Sequence, residues 1–184
     1  MSKLFSPLTI KSVNFKNRIV VSSMCQYSAE DGFASDWHLV HLGSRAVGGA
    51  GLIMVEASAV SPEGRISPGD LGLWKAEHID KLKTITNFIH QNGSVAGIQL
   101  AHAGRKASCR PPWDGSKQIP EKDGGWQPVA PVSIPFYDTD VPPLKLSISG
   151  IGKVIDDFKA AAARAVLAGF KVVEIHAAHG YLIN

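Results

Sequence analysis

The stretch VVEIHAAHGYLIN, residues 172–184, combines a strand pattern with a cluster of reactive side chains. Its first four residues are mostly apolar and β-branched and come after a segment with helical periodicity, so we predict a strand over Val172–Ile175. His176, His179 and Tyr181 come directly after it. Side chains that follow the carboxyl ends of parallel strands commonly bind ligands, and we therefore expect these three to line a site.

The two imidazoles and the phenol could donate hydrogen bonds to a developing oxyanion and supply a proton. A zinc pair is the alternative, but no third ligand motif accompanies His176 and His179. A second pair with the same spacing, His38 and His41, falls within a predicted helix, where both rings share one face. For that pair we expect a polar helix face or a packing role.

The rest of the chain alternates strands and helices. We predict strands over residues 18–22, 52–57 and 95–100. Helices are predicted over residues 37–47, 77–91 and 148–168, with Asp36 and Ser147 as the N-caps of the first and last. A small hairpin is predicted over residues 8–16. Apolar stripes on two of the helices include Trp37, Val40 and Val47 on the first and Ile151, Ile155 and Val166 on the last. This alternation predicts an α/β fold with a parallel sheet, either doubly wound and open or part of a (β/α)8 barrel. As a barrel, the chain supplies strands 1–4 of eight.

Residues 101–146 interrupt the alternation with eight of the eleven prolines and two tryptophans. A connection this long is usually functional or disordered. We expect it to shape either a substrate pocket or a subunit contact.

Composition narrows the class of protein. The 184 residues are 45% hydrophobic, and 19 Lys and Arg stand against 16 Asp and Glu without any basic run, so we expect no nucleic-acid partner. Two cysteines, Cys25 and Cys109, suggest a reducing compartment. The start of the sequence lacks the pattern of a signal peptide, and no segment has the length of a membrane span. We therefore expect a cytoplasmic protein with no membrane partner.

No Gly-x-Gly-x-x-Gly follows a strand and no P-loop occurs, which argues against a Rossmann or Walker site. Cys25 lies in the loop after the first main strand, where a buried inert thiol and a site residue are equally good interpretations. Gln99 lies near the end of the third main strand. It is either a ligand contact or a satisfied core amide.

The sequence resembles the Old Yellow Enzyme family of flavin-dependent ene-reductases, in its xenobiotic-reductase-like branch. The matching segments occur in family order: Asn17-Arg18-Ile19, Met24-Cys25-Gln26-Tyr27, Asp36-Trp37-His38, Gly49-Ala50-Gly51-Leu52, Val55-Glu56-Ala57, Gly64-Arg65-Ile66, Gln99 to Lys106, and His176-Ala177-Ala178-His179-Gly180-Tyr181-Leu182.

The resemblance implies an FMN-binding TIM barrel, of which residues 1–184 form the N-terminal half of a single domain with residues 101–146 as a long loop insertion. It implies that the main chain of Ser23, Met24 and Ala57 lies against the flavin with the Gln99 side chain. Cys25 would tune the flavin and touch substrate, and Tyr27 would add a donor. His176 and His179 would bind the acceptor oxygen near the cofactor, and Tyr181 would donate the proton. No metal is implied.

The implied reaction is reduction of activated C=C bonds, in α,β-unsaturated carbonyl compounds and also nitro compounds, with NADPH as the reductant. Two departures from the family pattern matter. Ser22-Ser23 replaces the proline that commonly precedes the Met-Cys pair, and strands five to eight are absent, with the phosphate loops they carry. We therefore expect a complementing C-terminal half or a homo-oligomer. The alternatives are a metal-dependent TIM-barrel hydrolase and a flavin-less assembly fragment.

Overall fold

The computed structural model describes residues 2–184, which begin with a small antiparallel hairpin. The elements run in chain order as β1 (Leu8–Ile10), β2 (Val13–Phe15), β3 (Val20–Val21), α1 (Asp36–Val47), β4 (Leu52–Ala59), α2 (His78–Gln91), β5 (Val95–Ala101), β6 (Val129–Ala130), β7 (Leu144–Lys145), α3 (Ile148–Leu167) and β8 (Val172–Ile175). The predicted hairpin is present, with Leu8 opposite Phe15. Among the helices of residues 2–184, none has both the length and the apolar content needed to cross a membrane.

The main sheet has four parallel strands whose spatial order, β3-β4-β5-β8, is also their order in the chain. All three long helices cover one face of this sheet. Leu42 of α1, Leu82 of α2 and Ala161 of α3 share one buried cluster with Val55 and Ile98 of the sheet. A doubly wound sheet would reverse its strand order and carry helices on both faces. The arrangement is therefore the singly wound one of a barrel.

Successive side chains on β5 point to opposite faces of the sheet. Ile98 and Leu100 point into the cluster beneath the helices, so Gln99 between them faces the helix-free side. That side is the concave interior of the incomplete barrel. Polar side chains there are available for ligand contacts.

Most predicted boundaries hold within two residues, with two corrections. The N-cap of α1 is Ser35 and not Asp36, which is the first helical residue. The Ser35 N–H donates to His38 Nδ1 at 3.0 Å and thereby closes the first turn. The first main strand is only Val20–Val21, because the chain leaves the sheet at Ser22. Ser147 caps α3 as predicted, since its side chain accepts from the Gly150 N–H at 3.1 Å.

In both predicted apolar stripes, large side chains lie outside the core. Trp37, Val40 and Val47 are 51%, 60% and 66% exposed, because α2 packs against the opposite side of α1. On α3 the small residues Ala161 and Ala165 meet the sheet, and Phe158 packs partly buried against the core. Ile151, Ile155 and Val166 of the predicted stripe stay exposed. Both flanks of the helical layer are consequently apolar and uncovered.

Residues 101–146 are folded over the carboxyl ends of the strands. The Cys109 N–H donates to the Ile66 carbonyl at 2.7 Å, and the Trp126 indole N–H donates to the Glu63 carbonyl at 3.0 Å. Within the segment, β6 and β7 pair in parallel. The long connection is therefore attached to the loop that follows β4.

Candidate active site

The end of β8 brings the three predicted side chains together. The His176 N–H continues the sheet by donating to the Leu100 carbonyl at 2.9 Å. His176 Nε2 lies 3.3 Å from His179 Nδ1, and the Tyr181 ring centroid lies 4.7 Å from that of His176. His179 adopts a left-handed backbone with φ of 61°, which is rare for a residue other than glycine. Such conformations cluster at functional sites, because the surrounding structure must enforce them.

Hydrogen bonding within this loop orients the imidazoles. His176 Nδ1 accepts from the Ala178 N–H at 3.3 Å, so Nε2 carries the hydrogen and donates to His179 Nδ1. This leaves Nε2–H of His179 as a free donor. Burial, and then the neighbouring His179, lower the pKa of His176, which keeps its ring neutral at pH 7. The pair therefore offers one free N–H donor, on Nε2 of His179.

Tyr181 is half-buried beside this pair. Burial raises the pKa of its phenol, and the nearby Cys25, Tyr27 and Asp70 raise it further. The hydroxyl consequently remains protonated at any physiological pH. A proton held in this way is available to a developing carbanion in the same site.

The loop after β3 carries the predicted flavin-side residues Ser23, Met24, Cys25 and Tyr27. The pKa of the Cys25 thiol is raised to about 12, first by burial and then by Asp70 and Glu56. Thiolates are the nucleophilic form of cysteine, so Cys25 is poorly suited to covalent catalysis. The pKa of Tyr27 is likewise raised to about 12, again mainly by burial.

A buried carboxylate that the sequence analysis gave no role holds this loop in place. Glu56 lies on β4, is 4% exposed, and its Oε2 accepts from the Gln26 N–H at 2.7 Å. Its Oε1 lies 3.0 Å from His38 Nε2, an electrostatic contact without the alignment of a hydrogen bond. The Gln26 side chain accepts from the Trp37 indole N–H at 3.0 Å. Both α1 and β4 therefore position the loop.

Asp70 is the second side chain that the sequence analysis missed. Its carboxylate accepts from the Ile66 N–H at 2.6 Å and from the Ser67 hydroxyl at 2.8 Å. Burial raises its pKa to about 7, although these hydrogen bonds act in the opposite direction. No local motif marks Glu56, because its partners Gln26 and His38 come from another loop and from α1. The hydrogen-bond partners of Asp70 are close in sequence, and only its approach to Cys25 and Tyr181 depends on the fold.

Ala57 and Gln99 lie side by side on β4 and β5. The Gln99 amide donates to the Glu174 carboxylate on β8. In the described part of the chain, the N–H groups of Met24 and Cys25 donate to no protein acceptor. Free main-chain donors beside an amide side chain, on one concave face, suit the polar edge of a flavin ring.

The second histidine pair does not form a site. His38 faces Glu56, and the His41 ring lies 6.2 Å from the Trp37 ring. Both histidines are buried, which agrees with the packing interpretation. Across residues 2–184, no three side chains of the His, Cys, Asp or Glu types converge in a way that could hold a metal ion.

Comparison with known proteins gives consistent matches. A model of the NADH:flavin oxidoreductase / NADH oxidase family matches residues 3–184. An NADH:flavin oxidoreductase of Gibberella zeae is 50% identical over 188 aligned residues, covering 100% of this chain and 45% of that protein. Morphinone reductase superposes with a TM-score of 0.81 at 28% identity, covering 97% of this chain and 49% of its own. An Old Yellow Enzyme from Pichia sp. AKU4542 superposes with a TM-score of 0.85 at 26% identity, covering 98% of this chain and 47% of its own.

The chain thus spans about half the length of the relatives it matches. These matches confirm the predicted resemblance and the predicted (β/α)8 barrel, of which the four-stranded sheet is the first half.

Proposed function

Because the chain belongs to the NADH:flavin oxidoreductase / NADH oxidase family, we propose that the complete barrel is an FMN-dependent ene-reductase. Its substrates are α,β-unsaturated carbonyl compounds and also nitro compounds, and NADPH is the electron donor, with NADH as the alternative. The observation that carries the proposal is the convergence of His176, His179 and Tyr181 at the end of β8, facing the loop of Cys25 and Tyr27.

The residues that hold FMN come from three adjacent strands. The free N–H groups near Ser23, Met24 and Cys25, the Ala57 main chain and the Gln99 amide line the concave face. The chemistry that FMN supplies when bound is hydride transfer, first from the nicotinamide and then to the β-carbon of the alkene. Cys25, as a neutral thiol, adjusts the polarity around the flavin and contacts substrate.

The free Nε2–H of His179 binds the carbonyl or nitro oxygen of the acceptor, and the Nε2–H of His176 joins it by exchanging its 3.3 Å contact with His179 for that oxygen. Negative charge collects on that oxygen as the β-carbon receives hydride, so N–H donors bind the transition state more tightly than the ground state. Tyr181, whose phenol stays protonated at neutral pH, delivers its proton to the α-carbon. Tyr27 supplies a further donor to the same pocket.

The remainder of the barrel is an expected partner of this chain. The strands β3 and β8 each have a free edge, and a groove of about 580 Å³ lies between α3 and β8. Its lining is almost wholly apolar and includes Ile151, Ile155 and Ile175. An exposed apolar surface of this kind marks an interaction site. We assign it to a C-terminal half barrel, or to a second copy in a homo-oligomer.

Anaerobic visible spectroscopy of the flavoprotein tests the proposal. NADPH should bleach the flavin absorbance, and cyclohex-2-enone added afterwards should restore it much faster than buffer alone. NADH in place of NADPH then measures the preference for the electron donor. A purified protein without flavin absorbance, or a bleached flavin that no enone or nitroalkene re-oxidises, would contradict the proposed function.

A further inference from the structure

Glu174 is the one charged residue of strand β8, and its carboxylate faces the barrel interior. Val173 and Ile175 line the apolar groove beside α3, so Glu174 between them points to the opposite, concave side of the sheet. Its partner in the register of β5 and β8 is Gln99, which faces the same side. A carboxylate and an amide therefore lie next to each other on the concave face.

This pair rests on an apolar layer of the interior. One step nearer the amino ends of the strands, Gly97 pairs with Met54 on one side and with Val172 on the other. A Cβ at Gly97 would collide with the Met54 sulfur, so the Met54 side chain fills the space over that glycine. Gln99 and Glu174 form the next layer toward the carboxyl ends of the strands. They are consequently the first polar layer below the candidate active site.

The hydrogen bond between the two side chains determines how the amide is oriented. It runs from Gln99 Nε2 to Glu174 Oε1. An ionised carboxylate only accepts hydrogen bonds, whereas an amide donates from its nitrogen and accepts at its oxygen. The nitrogen of Gln99 therefore turns toward β8. Its oxygen and its second N–H remain available to a ligand on the concave face.

That orientation matters to a flavin because of the pattern on its pyrimidine edge. This edge presents one N–H group between two carbonyl groups. The Gln99 oxygen can accept from the N–H, while the second amide hydrogen donates to a flanking carbonyl. An amide turned by 180° would set its NH₂ group against the flavin N–H, and two opposed donors without an acceptor are costly when buried.

Glu174 has no ion-pair partner that would give it another task. Across residues 2–184, the ion pairs all lie elsewhere. A carboxylate that faces a barrel interior is costly unless it makes hydrogen bonds, and the bond from Gln99 offsets part of that cost. The contact with Gln99 is therefore the interaction from which a role for Glu174 follows.

We propose that Glu174 is a positioning residue for the flavin, which holds the Gln99 amide with its oxygen toward the N–H of the pyrimidine edge. Glu174 acts through Gln99 and touches neither flavin nor substrate. The inference rests on the proposed function, which places FMN against Gln99 on the concave face. It makes FMN affinity depend on a hydrogen-bond acceptor at position 174.

Fluorescence titration of the apoprotein of the complete barrel with FMN tests this dependence. Glu174→Leu removes the acceptor and should weaken FMN binding about tenfold. Glu174→Gln keeps an acceptor oxygen, so its FMN affinity should stay within about threefold of wild type. Glu121→Leu, at an exposed carboxylate of the long segment, is the control and should match wild type. Wild-type affinity in Glu174→Leu would overturn the proposal.

A double-mutant cycle separates positioning from a direct effect of the charge. In a Gln99→Leu background, Glu174→Leu should weaken FMN binding no further, because the amide that it orients is already gone. Losses that add in the double variant would overturn the positioning role. They would show instead that Glu174 acts on the flavin independently of Gln99.

Nuclear magnetic resonance of bound, nitrogen-15-labelled FMN reads the same contact in the folded holoprotein. The flavin N–H should exchange slowly with water in wild type and in Glu174→Gln, and faster in Glu174→Leu. Equal exchange rates in all three proteins would overturn the proposal.

Enone-dependent re-oxidation of the flavin is measured on the same proteins, so that the two proposals fail separately. A wild-type protein that re-oxidises normally, with an FMN affinity indifferent to position 174, would overturn this inference alone. FMN bound with the expected dependence but never re-oxidised by enone or nitroalkene would contradict the proposed function and support the role of Glu174.

Discussion

The main-chain N–H of Gln26 donates a 2.7 Å hydrogen bond to the buried carboxylate of Glu56. This contact ties the loop after β3 to the neighbouring strand β4. The loop carries Met24, Cys25 and Tyr27, so one carboxylate determines where three candidate site residues lie. His38, which lies on α1, contacts the other carboxylate oxygen of Glu56. The loop that carries the proposed flavin contacts is therefore positioned by a side chain outside the set proposed to touch cofactor or substrate.

Glu56→Ala should loosen this loop. Hydrogen bonds to charged groups contribute about 1.5–3 kcal/mol, and the substitution also leaves His38 without its partner. We expect FMN affinity to fall about tenfold and the free energy of unfolding to fall by about 2 kcal/mol. Fluorescence titration with FMN and urea unfolding measure the two effects. Glu30→Ala, at an exposed carboxylate, is the control, and unchanged FMN affinity in a folded Glu56→Ala protein would disprove the positioning role.

His179→Ala should impair chemistry more than cofactor binding. The free Nε2–H of His179 is the donor proposed for the acceptor oxygen, and loss of one such donor costs about 100-fold or more in turnover. We expect that loss in enone-dependent re-oxidation, with the flavin spectrum retained. His41→Ala removes a histidine from outside the site and serves as the comparison. Full re-oxidation rates in His179→Ala would rule out the donor role.

Tyr181→Phe should separate the two half-reactions. The phenol enters only when the α-carbon is protonated, so reduction of the flavin by NADPH should keep its wild-type rate. Re-oxidation by enone should slow by about 100-fold, within the range that general acids contribute. Stopped-flow absorbance measures each half-reaction separately. Equal slowing of both would indicate a structural effect of the substitution instead.

Asp70 should make stability depend on pH between about 4 and 7. Its folded-state pKa is raised from 3.8 to about 7, so over that interval the folded protein holds a proton that the unfolded chain has released. This contribution to stability is fully present below pH 4 and is lost as the pH rises through 7. The expected slope is about 1.4 kcal/mol per pH unit. Urea unfolding from pH 4 to 8 should show a shallower decline in Asp70→Asn than in wild type, whereas the exposed Asp156→Asn should match wild type.

The sequence alone determined the elements and their order, because hydrophobic periodicity and capping are local properties of the chain. The strand Val172–Ile175, its histidine loop and the Ser147 cap could all be predicted from neighbouring residues. The ordered motifs also gave the family, which the matches confirm. Hydrophobic periodicity did not predict which side of a helix is covered, because Trp37 and Ile155 belong to predicted apolar stripes and are exposed.

Tertiary structure decided the contacts between residues that are distant in sequence. Periodicity left an open sheet and a barrel equally possible, and the placement of all three helices on one face decided between them. Glu56 meets Gln26 across 30 residues of chain, and Trp113 meets Tyr27 from within the long segment. Such pairings depend on how strands and loops pack in three dimensions, which no local pattern records. The contact of Glu56 with the loop after β3 and the approach of Trp113 to Tyr27 therefore emerged only from the folded chain.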